Sequence, residues 1–294
     1  YLSCPLRWFY ECRLPSKGID AAFGPREMGS FSRRVLRTFH EAMAKRGTPR
    51  VRGGDDRPEW EPVLDDCFSE ALEQRAGSNP LVPVTPLEHE RLETVRRNLI
   101  GCIERDALMP AGFVPTDHEW PFGDREPLVF GGIRLHGTVD RIDEDNAGHA
   151  LIIGYRGAVG DDYNAPRAKR GQDPEEVDRL PQHCQALIYA AALQRLRPGT
   201  LAVGALYVSY NRARVKGFLD GSASCLSGFE LVEDGMVGRT EDGKNGFQDL
   251  LSYLEQEVGE AMDRLRDGDT SPRPRFGARS CAYCSVSGCP KRRA

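Results

Sequence analysis

The chain has 294 residues, of which 39% are apolar and 29% charged, and its formal net charge is −4. That is the composition of a globular protein able to bury a substantial core, and no apolar run approaches the roughly 20 residues needed to span a bilayer. The acidic balance excludes bulk positive charge as a route to nucleic acid, so any such contact needs a local basic surface, hinted at only by Lys291-Arg292-Arg293 and scattered arginines.

From the N-terminus, Pro5 after Cys4 predicts a short aromatic helix through Leu6, Trp8, Phe9 and Tyr10. A glycine- and proline-rich loop leads to a helix over 31–44, with Phe31, Val35, Leu36, Phe39 and Met43 on one side. The polar stretch 46–57 reads as a loop, and helices are expected near 60–76 and 86–108. The pattern then turns to strands, at 114–121, at 127–143 with a break at Gly131-Gly132, and at 149–156. A polar loop over 157–175 precedes a helix at 176–196 and a buried strand at 202–209. The segment 210–243 is glycine-rich and gives no clear period, whereas 245–266 repeats apolar residues as an amphipathic helix does. This order favours one mixed α/β domain: a helical insertion at about 31–110, a core at about 111–210, and a C-terminal helix with a cysteine tail at about 245–294. The chain opens at Tyr1 without a charged-then-apolar leader, and the expectation is a cytoplasmic piece of a longer polypeptide.

Nine cysteines, an odd number, argue against a disulfide framework. Cys12, Cys67, Cys102, Cys184 and Cys225 have no metal-like spacing and read as packing residues. Cys281-x2-Cys284-x4-Cys289-Pro290 does have such spacing, but supplies only three ligands where zinc or an iron–sulfur cluster usually takes four. Cys4 is the natural fourth, and such a clasp would tie the two ends of the domain together. Spacing alone leaves zinc and iron–sulfur equally open.

The strand pair is the most informative stretch. Gly137-Thr-Val-Asp140-Arg-Ile-Asp143 carries a carboxylate, and Ala150-Leu-Ile-Ile-Gly154-Tyr-Arg156 follows on a second strand. With Cys4-Pro5 and its aromatics, Phe39-His40-Glu41, Gln185-x3-Tyr189 and the three tail cysteines in that order, the chain resembles the PD-(D/E)XK nuclease superfamily. The resemblance is to its RecB/AddB-like iron–sulfur branch, and it runs from Cys4 to Cys289. It implies a restriction-endonuclease-like core, a mixed central sheet flanked by helices. It further implies a 4Fe–4S cluster on Cys4, Cys281, Cys284 and Cys289 in preference to zinc.

In that family, acids on neighbouring strands hold Mg²⁺ ions that polarise a phosphodiester and sharpen a water nucleophile. The resemblance makes Asp140 one ligand, lets His40 complete the sphere, and gives Gln185 and Tyr189, four apart on a helix, the role of positioning substrate. The expected second acid and the lysine are instead Gly154 and Arg156. A guanidinium keeps its proton and is no lysine equivalent. Asp143 points to the other face of the strand from Asp140 and is a poor replacement, whereas Asp161 or Asp162, in the following loop, could swing in.

The implied function is therefore a nuclease-like, DNA-binding domain of an AddB-type helicase–nuclease subunit, with an AddA-like helicase partner and single-stranded DNA, and with little or no cleavage. Two alternatives stand beside it: an active Mg²⁺-dependent exonuclease with a relocated ligand, and a non-catalytic scaffold for a partner subunit. Plain structural readings exist for each residue too. Asp140 could pair with a neighbouring arginine, His40 could pack in the core, and Gln185 and Tyr189 could be an ordinary helix pair.

Overall fold

A computed structural model describes residues 2–13, 24–52, 56–73, 82–83, 85–124, 126–164, 178–227, 229, 238–239, 246–282, 284–286 and 288–292. Helix α1 (Pro5–Trp8) runs into a π-helical turn at Phe9–Arg13. Three long helices follow: α2 (Pro25–Lys45), α3 (Arg57–Glu73) and α4 (Pro86–Asp106). α2 begins at Pro25 rather than at Phe31, because extended Gly24 and a proline at the first helical position make a ready start. α4 starts on a reciprocal cap: Thr85 Oγ1 accepts from Glu88 N at 3.3 Å and Glu88 Oε2 accepts from Thr85 N at 2.9 Å.

The strands are β1 (Val114–Phe122), β2 (Leu128–Phe130), β3 (Ile133–Leu135), β4 (Gly137–Glu144) and β5 (His149–Arg156). After helix α5 (Gln185–Leu196) come β6 (Leu201–Ser209), β7 (Val215–Leu219) and the two-residue β8 (Gly238–Arg239). Helices α6 (Phe247–Arg266) and α7 (Ala278–Cys281) close the chain. Six strands form a mixed sheet in the order β1-β4-β5-β6-β7-β8, while β2 and β3 make a separate hairpin. β5 and β6 are parallel, joined through α5; β1, β4 and β5 form an antiparallel meander.

The sheet is covered on both faces. On one, Phe31, Val35, Leu36 and Phe39 of α2, with Leu64 and Leu99, pack on Leu151, Ile153, Leu206 and Val208. On the other, Ala186, Leu187 and Ala190 of α5, with Leu250 and Leu254 of α6, pack on Ile142, Ala150, Ile152 and Ala205. The six residues Ala150–Tyr155 are all buried, as a central strand requires. Each fully buried leucine or isoleucine here contributes on the order of 1.5–3 kcal/mol. This three-layer α/β/α arrangement is the expected mixed core.

Two further expectations changed. α5 starts at Gln185, not near 176: Pro181 interrupts the helical pattern, and residues 165–177 lie outside the described set. β7 occupies part of the segment that showed no period. Its Gly217 has φ +133°, and a Cβ there would stand 2.2 Å from Ala205 O, so only glycine lets β7 approach β6. Among the described residues, no helix is long and apolar enough to cross a membrane.

Candidate functional site

The β4–β5 ladder runs from Glu144–Ala150 to Arg141–Ile153, whereas β4 stays paired with β1 as far as Gly137. Beyond Ile153 the two strands diverge, and Asp140 sits in the wedge. Tyr155 N–H donates to Asp140 Oδ2 at 2.8 Å, so a carboxylate takes the place of a ladder carbonyl. Burial pushes the Asp140 carboxyl above its ordinary range, opposed by Arg156, the Tyr155 N–H and Arg33.

Gly154 and Arg156 lie two apart on β5 and so share the face that carries α5. The Arg156 guanidinium donates from Nη1 to Asp140 Oδ2 at 3.2 Å and to Tyr155 O at 2.6 Å, and from Nη2 to Gln185 Oε1. Gln185 in turn donates to Tyr189 Oη at 2.7 Å. A Cβ built on Gly154 would stand 3.6 Å from both Nη1 and Nη2 of Arg156, and 3.4 Å from Tyr207 Cδ1. The guanidinium thus fills the direction in which a side chain at 154 would extend.

Asp140, Tyr155, Arg156, Gln185 and Tyr189 line an open cleft of about 930 Å³. Its wall includes five arginines (Arg26, Arg33, Arg34, Arg37 and Arg156) against two carboxylates, Glu119 and Asp140. Arg26, Arg33 and Arg37 are seven and four apart on α2, so one helical face projects them together. Arg37 Nη1 is bound to Glu119 Oε2 at 2.5 Å, and Arg33 Nη1 lies 3.9 Å from Asp140 Oδ1. Glu119 holds a positive φ of 48°, an uncommon backbone state for a non-glycine residue. α2 comes this close because Gly29 has no side chain: a Cβ there would meet Tyr210 Oη at 2.7 Å. The sequence reading did not single out these arginines or Glu119, although helix spacing aligns Arg33 with Arg37 within 31–44 and adds Arg26 once α2 begins at Pro25.

Of the expected site residues, Asp140, Arg156, Gln185 and Tyr189 meet in this cleft, and Gly154 lies beneath the Arg156 guanidinium. His40 does not join them. Asp140 and Arg141 are adjacent on a strand and point to opposite faces, and His40 lies on the Arg141 side, 2% exposed. There its Nε2 is 3.1 Å from Arg141 Nη1, 3.3 Å from Asp106 Oδ2 and 3.3 Å from Tyr155 Oη. Its ring stacks on His118, with centroids 5.3 Å apart. Burial, then the Arg141 charge, lowers the His40 pKa and holds the ring neutral. Arg141 itself makes a two-pronged pair with Asp143, 2.6 Å on each prong, and a 2.6 Å pair with Asp106. Asp143 is thereby fully engaged away from the cleft. Asp161 pairs with Lys216 at 3.0 Å and Asp162 with His183 at 3.1 Å.

The cleft does not fit Mg²⁺, which needs near-octahedral oxygen ligands and usually one or two carboxylates. Asp140 offers one, already neutralised by Arg156, and the other cleft carboxylate is tied to Arg37.

At the far end of the chain, Cys4 and the tail cysteines Cys281, Cys284 and Cys289 line one small cavity with Leu6, Pro272 and Val286. The N-terminal segment is also held there by protein bonds: Arg7 Nη1 donates to Ser280 O and Ala282 O, 3.2 Å each, and Arg275 N donates to Ser3 O at 3.2 Å. Four thiols around one cavity suit a thiolate-bound inorganic centre. A tetrahedral zinc with Zn–S of about 2.3 Å draws its sulfurs to within roughly 4 Å of one another. No three of these thiols come mutually within 4.8 Å, a spread wider than one zinc ion asks for.

A family model of the PD-(D/E)XK nuclease superfamily matches residues 1–289. No curated protein matches the chain.

Proposed function

The chain belongs to the PD-(D/E)XK nuclease superfamily, and on that premise we propose that it is a DNA-binding, nuclease-like domain whose cleavage is lost or weak. One observation carries this reading. The Arg156 guanidinium lies on Asp140, in the direction a side chain at 154 would take, so a fixed organic cation stands where two carboxylates would share a metal. Such a site keeps the positive charge that attracts a phosphate but offers no free carboxylate pair to hold the metal that would polarise it. The arginine face of α2 extends that attraction along the cleft.

The finer assignment is to the RecB/AddB-like branch: part of an AddB-type subunit of a bacterial, cytoplasmic helicase–nuclease that processes double-strand breaks beside an AddA-like helicase. The meeting of Cys4 with the three tail cysteines supports it. On this reading those four thiolates hold a 4Fe–4S cluster whose role is to fasten the domain. Anaerobic purification is expected to yield iron and sulfide in equal amounts, and stoichiometric zinc with no sulfide would overturn the branch assignment.

Single-stranded DNA binding tests the functional reading. Affinity is expected to fall with salt, with a log–log slope of about −0.7 per neutralised phosphate. Arg33→Ala should weaken binding and make the slope shallower by about 0.7. No binding at low salt would sink the proposal. The active-exonuclease alternative would draw its second acid from Glu119, the other carboxylate of the cleft. It predicts Mg²⁺- or Mn²⁺-dependent cleavage abolished by both Asp140→Ala and Glu119→Gln, whereas we expect no cleavage in any of the three proteins.

A further inference from the structure

At the opposite end of the β4–β5 hairpin from Asp140, three donors of different chemistry converge. Asp145 stands in the turn, His149 opens β5, and Cys225 lies in the 3₁₀ helix Ser224–Leu226 that follows β7. One ligand atom from each lies within 4.8 Å of the other two, and among the described residues no other group of His, Cys, Asp and Glu meets that condition. The carboxylate is already oriented: Asp145 Oδ1 accepts from the N–H groups of Ala147 and His149, both at 2.8 Å. Its Oδ2 lies 2.7 Å from His149 Nδ1 and fixes the plane of the imidazole. The site is sheltered but not sealed, with the Asp145 and His149 side chains 12% and 30% exposed.

We propose that Asp145, His149 and Cys225 bind a thiophilic divalent cation of the zinc class, with solvent completing the coordination. The donor set selects the ion. Sulfur and imidazole nitrogen are poor partners for Mg²⁺ or Ca²⁺ and good ones for zinc. A thiolate and a carboxylate together balance a double positive charge, while the imidazole adds a neutral donor. Binding releases the thiol proton, and no oxidant or reductant is involved. Tetrahedral coordination asks the Cys225 thiolate to close on the pair and Asp145 Oδ2 and His149 Nδ1, now 2.7 Å apart, to part slightly as the ion replaces the proton they share. The ion would pin the segment after β7 to the hairpin, at the other end of the β4–β5 ladder from Asp140.

The test counts metal in the full chain with its four-cysteine site filled and its metal content known. Equilibrium dialysis against ZnCl₂ is expected to add one zinc per chain beyond that content. Cys225→Ser and His149→Gln should each weaken this extra zinc by about tenfold or more, while Cys12→Ser, at an exposed cysteine, should not. Cobalt in the same place should show a thiolate charge-transfer band that Cys225→Ser removes. Absence of the extra zinc, or its persistence at unchanged affinity in both Cys225→Ser and His149→Gln, overturns the proposal. Because the count is made above the four-cysteine content, the result does not depend on what those cysteines hold or on whether the domain cuts DNA.

Discussion

Gly154→Asp combined with Arg156→Lys is expected to convert this domain into a Mg²⁺-dependent nuclease. The physical case rests on the cleft. A Cβ at 154 meets Tyr207 at 3.4 Å and Arg156 at 3.6 Å, both ordinary contact distances, and the second substitution removes the guanidinium that lies along its path. The new carboxylate would project beside Asp140, and two acids so close repel each other until a divalent cation joins them. Lysine keeps one positive charge, on a flexible stem that can leave room for the ion. Restoring a metal that polarises the phosphate and supplies a nucleophile is worth several kcal/mol of barrier, on the order of 100-fold or more in rate. Cleavage of labelled single strands with Mg²⁺ should rise from background and vanish again when Asp140→Ala is added. Gly154→Asp alone should stay silent, since Arg156 would pair with the new acid. A doubly substituted protein that folds and binds DNA, yet cuts no faster than its parent, would show that more than these two positions has been lost.

Arg141→Met is expected to cause the largest loss of stability from a single side chain. Arg141 is 2% exposed and is the countercharge for Asp106 and Asp143, themselves 5% and 1% exposed. Without it two carboxylates remain buried and unbalanced, and breaking a buried pair this way costs about 3–5 kcal/mol. Denaturant titration should show that drop. Adding Asp106→Asn and Asp143→Asn should recover part of it, because neutral amides carry a smaller desolvation cost. A loss below about 1 kcal/mol would place the charge balance elsewhere.

The periodic features were legible before any coordinates. The apolar stripes of α2 and α6, the strand pair around Asp140 and the order of the layers all follow from side-chain spacing, since one buried face leaves one repeat. Asp140, Gln185 and Tyr189 were also found, because their residue types and spacing resembled a known pattern. His40 was the instructive exception. Sequence order places it among metal ligands, but a strand alternates its faces, and His40 follows Arg141 to the side away from Asp140. Arg26 stayed hidden because the helix start was placed at its first apolar residue, whereas Gly24-Pro25 begins it earlier; Arg33 and Arg37 lay inside the expected helix, but spacing alone does not show that their face lines a cleft. β7 stayed hidden for another reason: Gly217 leaves a gap in the strand pattern, and the contact it permits with β6 is made by backbone.

The meeting of residue 4 with residues 281–289 has a mechanical consequence. Tension applied between those two points passes across the thiol cavity and through the hydrogen bonds from Arg7 and Arg275, which act side by side. The strands that shape the arginine-lined cleft lie outside that load path. Force applied at this anchorage would therefore reach the cysteines first and leave the spacing of Asp140 and Arg156 undisturbed until the anchorage gave way.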